Sequence, residues 1–179
     1  MKYLFRACLL LIFLSSGLPV LALQDPCKLV SERQISDLIK DFGYKKARYV
    51  DGRSYFMGQS CQYFGDGKTV FIGIEEKADF ESGENIFSSA KEKFEKEKQA
   101  ASPGVITVID GIGDAAIWNH VSLKFLKDGN LYTIRVRAGK GISGSGKVEV
   151  ENKVERMNLN YSKALAKIIL EQKEKEQSK

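Results

Sequence analysis

Four Asp-Gly dipeptides, at 51–52, 66–67, 110–111 and 128–129, punctuate the middle of this 179-residue chain. Both positions of the dipeptide tolerate positive φ, which suits the two-residue turns of antiparallel hairpins. Arg53-Ser-Tyr-Phe-Met and Cys61-Gln-Tyr-Phe stand between the first two turns, and Lys68-Thr-Val-Phe-Ile-Gly-Ile follows the second. These aromatic and β-branched runs read as an antiparallel meander, with Gly58 bending its middle strand. Val105–Ile109 reads as a further strand. Leu123–Leu126 and Leu131–Val136 form a hairpin about Asp128-Gly129, and alternation puts Leu123 and Phe125, then Tyr132, Ile134 and Val136, on single faces. The count is about five or six strands.

Helices flank this core. Ser31-Glu32-Arg33-Gln34 is a capping box, in which the serine hydroxyl and the glutamine side chain satisfy free amides at a helix start. Ile35, Leu38, Ile39 and Phe42 follow at helical spacing, and Gly43 suits the helix end. From about Phe80 to Gln99 the pattern is again helical, with Phe87, Ala90 and Phe94 on one face and a run of Lys and Glu read as a solvated face. A last helix spans about Glu151 to Lys173, with Val154, Met157, Tyr161, Leu165 and Ile168 along one side. The charged segment 171–179 reads as a tail that packs on nothing.

The first 22 residues, MKYLFRACLLLIFLSSGLPVLA, have the three parts of a secretory signal. Lys2 and Arg6 supply the positive start, Leu9–Leu14 the apolar run, and Val20-Leu21-Ala22 a small-x-small cleavage pattern. The run is much shorter than the roughly 20 apolar residues of a membrane-spanning helix. Residues 23–170 then make one α+β domain, placed in the periplasm or secreted. Neither Cys8, inside the apolar run, nor Cys27, after Gln24-Asp25-Pro26, has the setting of a lipidation site.

Loss of Lys2 and Arg6 lowers the formal charge from +5 to +3. That small excess is spread along the chain, without the concentrated basic stripe and stacking aromatics of a nucleic-acid binder. Cys27 and Cys61 survive cleavage. Outside the cytoplasm a single wide-spaced pair, with no CxxC and one histidine, reads as a disulfide ahead of a metal or redox site.

Several motifs touch on chemistry. Gly139-Lys-Gly141-Ile-Ser-Gly144 fits GxGxxG, and Gly141 to Lys147 fits GxxxxGK, but Val148 stands where a phosphate loop needs Ser or Thr for Mg²⁺. The preceding strand belongs to an antiparallel hairpin, so the parallel setting of a dinucleotide site is missing. Residues 139–146 therefore read as a connector, and no nucleotide or other cofactor is expected. His120 has no evident partner for base catalysis and is too few for zinc. Trp118-Asn119-His120 reads as a connecting turn with Trp118 inward; its functional alternative is a recognition surface at Trp118 and His120. Asp110 and Asp114 flank Gly-Ile-Gly and could serve as acid and base in a small hydrolase, although turn chemistry accounts for the segment. Asn160-Tyr-Ser162 matches a glycosylation triplet within a helical pattern and carries no weight.

Cys27-Lys-Leu29 with a capped helix, Cys61-Gln-Tyr63, Ile109-Asp-Gly-Ile-Gly-Asp-Ala-Ala-Ile-Trp118 and Leu165-Ala166 together make a pattern covering nearly all of residues 23–170. It resembles a group of small exported bacterial proteins, many of them lipoproteins, whose function is uncharacterised. Gly-Ile-Gly-Asp-Ala-Ala is its most specific piece. The resemblance implies a PsbP-like α/β sandwich with helices on an antiparallel sheet, and it transfers no catalytic residues.

The expectation is a monomeric, non-catalytic binding protein of the bacterial cell envelope, with no nucleic-acid partner and no transmembrane segment. It meets another envelope or exported protein through the sheet face not covered by helices or through the loops carrying Trp118 and His120. An inhibitor or immunity protein against a toxin or hydrolase is one alternative. A small hydrolase using Asp110 and Asp114 is the other.

Overall fold

The computed structural model describes residues 24–52, 58–83, 85–138 and 147–178. The leader, the Arg53–Met57 strand and the glycine connector 139–146 read from the sequence lie outside the described residues. The class is α+β. Seven strands, all paired antiparallel, make one sheet in the order β1-β2-β3-β7-β6-β5-β4. They are β1 Lys46–Asp51, β2 Gln59–Phe64, β3 Thr69–Glu75, β4 Thr107–Val108, β5 Ala115–Trp118, β6 Leu123–Lys127 and β7 Asn130–Arg137. The sheet is thus two consecutive meanders joined where β3 pairs with β7.

Four helices accompany it: α1 Glu32–Leu38, α2 Lys77–Glu81, α3 Ala90–Ala100 and α4 Lys147–Gln177. They cover the sheet from both sides. On one face, Cys61, Ile72, Phe125, Tyr132 and Ile134 pack with Ile35 of α1 and with Leu165, Ala166 and Ile169 of α4. On the other, Ile117, Leu126 and Leu131 pack with Phe80 of α2 and with Ala90 and Phe94 of α3. Each large apolar side chain so buried contributes roughly 1.5–3 kcal/mol. Strand alternation divides the two cores: Leu126 and Leu131 pair across β6 and β7, while the next pair, Phe125 and Tyr132, faces the opposite way and stacks at 4.8 Å between ring centroids.

The local signals explain several elements. Ser31 and Gln34 complete the capping box at the start of α1. Asp128 (φ 52°) and Gly129 (φ 78°) form the two-residue turn between Lys127 and Asn130, with both residues left-handed as a type I′ hairpin requires.

Other expectations need correction. Among the described residues the sheet has seven strands, not five or six. β1 runs into the first Asp-Gly and leaves no strand signal in the sequence, because it lies on the sheet's edge, where Lys46–Tyr49 are exposed and nothing imposes an apolar alternation. β5 went unread because both its faces are covered, so Ala115–Trp118 is a continuous apolar run without period. α1 ends at Leu38, where Ile39 turns extended (φ −102°, ψ 100°), and left-handed Asp41 (φ 53°) and Gly43 (φ 57°) follow. The 80–99 segment splits into α2 and α3 around Gly83 (φ 74°), and Ser89 caps α3 through the Glu92 amide. α4 continues through the expected tail to Gln177, whose side-chain amide donates to Asp128 Oδ2 at 3.0 Å. Its buried stripe is Ser162, Leu165, Ala166 and Ile169, offset from the predicted one, whose Val154, Met157, Tyr161 and Ile168 are only partly buried.

Candidate functional site

Cys27 and Cys61 are bonded, with an S–S distance of 2.09 Å. Cys27 lies in a short 3-10 turn, Pro26–Lys28, and Cys61 in β2. Tyr63, two residues along β2 on the same face, places its hydroxyl 2.7 Å from the Val30 carbonyl. Burial pushes this phenol well above its usual range, helped by the nearby Asp25 charge. The bond and the tyrosine therefore clamp the segment ahead of α1 to the sheet; both groups are structural.

Trp118 and His120 come together with a residue the sequence reading missed, Glu155 of α4. The indole N–H of Trp118 donates to Glu155 Oε1 at 3.0 Å, and His120 Nδ1 lies 2.6 Å from the same oxygen. His120 Nε2 is 3.2 Å from the Gly104 carbonyl. Hydrogen bonding to Glu155 raises the histidine pKa above its ordinary value, and the Gly104 carbonyl adds to this. Burial alone would raise the Glu155 carboxyl, but the bonds from Trp118 and His120 outweigh it and hold the pKa below the usual range. Trp118 is only 2% exposed, so it offers no contact surface of its own. Trp118 thus packs inward as its sequence setting suggests, and the cluster is a latch fastening α4 to the β5–β6 connection, with His120 and part of Glu155 reaching solvent.

Asp110 and Asp114 sit on the β4–β5 loop beside a cavity of about 220 Å³ lined by Phe94, Lys98 and the loop itself. Asp114 spends its groups on the fold. Its amide donates to the Leu126 carbonyl at 2.8 Å, and its Oδ2 accepts from the Asp128 amide at 3.3 Å. Gly113 (φ 56°) passes so close to β6 that a Cβ there would lie 2.2 Å from the Leu126 carbonyl oxygen. The Gly-Ile-Gly-Asp block is thus explained by backbone packing. Among the described residues no three His, Cys, Asp or Glu side chains gather as a metal site, and no helix is long and apolar enough to cross a membrane.

The Lys and Glu of α3 are not simply solvated. Lys93 Nζ lies 2.5 Å from Glu75 Oε2 with side chains 16% and 10% exposed, and Lys124 pairs with Glu97. These pairs lock α3 over β6, the end of β3 and the adjoining part of β7. Burial lifts the Glu75 carboxyl above its usual range, partly offset by Lys93.

Beyond α3 the same sheet face carries a different surface across β1, β2, β3 and the far half of β7. Registration builds two transverse rows there. One runs Lys46–Phe64–Thr69–Arg137; the next runs Arg48–Gln62–Phe71–Arg135. All eight side chains lie opposite the α4 face and none is fully buried. Lys46 Nζ sits 5.6 Å from the Phe64 ring centroid, and the Arg135 guanidinium 5.8 Å from that of Phe71. Each aromatic thus holds a cation at its face, an attraction of about 0.5–1 kcal/mol at an exposed site. Among the described residues none of the four cations is ion-paired with a carboxylate. Charge spread along the sequence thus includes four cations that the fold gathers on one face. Its four members come from two strands some ninety residues apart, so no sequence window contains them.

A comparison with known protein families, with curated proteins and with solved structures finds no match for this chain.

Proposed function

We propose that this protein is an exported, non-catalytic binding protein of the bacterial cell envelope, and that its contact surface is the half of the sheet bearing Lys46, Arg48, Arg135 and Arg137. One observation carries the reading. The α4 side of the sheet buries the main core and α3 closes half of the other face, while the remaining half presents four cations that, among the described residues, have no carboxylate partner. A surface needed only for solubility would mix both signs of charge. The Cys27–Cys61 bond supports an oxidising compartment, in keeping with the leader read from the sequence. The resemblance to small exported bacterial proteins of PsbP-like architecture points the same way. The reacting groups of the hydrolase alternative are against it, because Asp114 is engaged in holding two turns together.

Affinity capture from an envelope extract tests the proposal when wild type is compared with Arg48→Glu/Arg137→Glu and with His120→Ala. Captured material should be lost with the first variant and kept with the second. Equal capture by all three proteins would remove the open face from the account.

A further inference from the structure

Resting on the open-face reading, we propose that the partner of this face is an acidic glycan, a sugar chain bearing carboxylate, phosphate or sulfate groups. The layout of the two rows selects this chemistry. The cationic residues are rooted on β1 and β7, about 14 Å apart at the backbone if each of the three intervening steps is one strand spacing. Arg48 and Arg137 stand at the flanks, and Lys46 and Arg135 reach in over Phe64 and Phe71. The centre is neutral: Gln62 and Thr69 offer an amide and a hydroxyl between the flanks, and both are partly exposed. The rows are separated by two residues along the strand, about 7 Å. An anionic chain crossing the strands would place acid groups on both flanks and hydroxyls over Gln62 and Thr69.

Rival readings fit less well. Charged side chains on an edge strand guard against sheet-to-sheet aggregation, and that could account for Lys46 and Arg48. It does not account for Arg135 and Arg137, because β7 lies in the middle of the sheet between β3 and β6. Single-stranded nucleic acid would need free aromatic faces for its bases, whereas Phe64 and Phe71 carry Lys46 and Arg135 over their rings. An anionic lipid surface is attracted by charge alone and has no use for a neutral hydrogen-bonding centre. Arginine over a ring is a positioned fork that matches carboxylate, phosphate or sulfate geometry.

The test measures binding of the purified protein to heparin, polygalacturonate and neutral dextran, to vesicles of phosphatidylglycerol and phosphatidylcholine, and to oligothymidylate. We expect binding to both acidic glycans and none to dextran. The double change Arg48→Glu/Arg137→Glu, at two exposed positions, should weaken glycan binding by roughly tenfold or more, and added salt should weaken it progressively. Thr69→Ala with Gln62→Ala, which leaves the charge untouched, should also weaken it. Tighter binding to vesicles or oligothymidylate than to either glycan overturns the assignment, as does charge reversal without effect. Envelope capture separates the two levels: if charge reversal abolishes capture while no acidic glycan binds, the glycan falls and the open-face reading stands. If charge reversal changes neither, both fall.

Discussion

Glu155 accepts the indole N–H of Trp118 at 3.0 Å, across 37 residues of sequence, and so holds the start of the long C-terminal helix against β5. Removing the carboxylate with Glu155→Ala strands a buried donor, which costs about 1–3 kcal/mol. Glu155→Gln keeps an acceptor and should cost distinctly less. Trp118 is the only tryptophan, so its fluorescence reports this site alone. A red shift in Glu155→Ala with a lowered unfolding midpoint is the expected outcome.

The same latch sets a pH dependence. The histidine pKa is raised in the folded protein, so its contribution is complete below the ordinary value of 6.5 and is lost as pH rises through the raised one. The Glu155 carboxyl is lowered, so its contribution is complete above the ordinary 4.5 and is lost as pH falls through the lowered value. The latch therefore stabilises fully between about pH 4.5 and 6.5. Unfolding midpoints from pH 4 to 9 should show a decline above that window, reduced in His120→Ala. Because both groups are partly solvated, the decline should be small and blunted by salt.

Reduction, or Cys27→Ala/Cys61→Ala, opens a loop with a sequence separation of 34. In the chain-entropy account this lowers stability by about 4 kcal/mol. Urea unfolding of oxidised and reduced protein measures the difference directly. Loss concentrated in the segment ahead of α1 should be visible by hydrogen exchange, since the Tyr63 hydroxyl, the Gln24 bonds and the burial of Leu29 and Val30 are then left to hold it.

Gly113 and Gly111 share a left-handed backbone but differ in their surroundings. A Cβ at Gly113 meets the Leu126 carbonyl at 2.2 Å, whereas one at Gly111 (φ 72°) meets nothing within 4 Å. Gly111→Ala should cost about 1 kcal/mol from conformation alone. Gly113→Ala should cost clearly more, because β6 must move, and thermal unfolding of the two variants tests the difference.

Local chemistry was legible and long-range assembly was not. Ser31 with Gln34, Asp128 with Gly129, and the β6–β7 alternation each act within a few residues, so a window of sequence contains the whole cause. The Cys27–Cys61 bond was readable because two cysteines outside the segment read as a leader leave few choices. Glu155 lies in a helix that shows no sign of meeting Trp118 until β5 and α4 are packed. Lys46 and Arg48 sit in a strand without apolar rhythm, and Arg135 and Arg137 alternate with core residues of β7. Only the β1-β2-β3-β7 order brings them side by side. The segment after Glu171 looked too charged to fold, yet helical continuation requires only good helix formers, and Lys, Glu and Gln are such.

Amide chemical-shift mapping during titration with polygalacturonate tests the central claim most directly. The account predicts perturbations gathered on β1, β2, β3 and the far half of β7, greatest around Lys46, Arg48, Phe71 and Arg135. Perturbations centred on His120 or on the Asp110–Asp114 loop, with those strands unmoved, would contradict it.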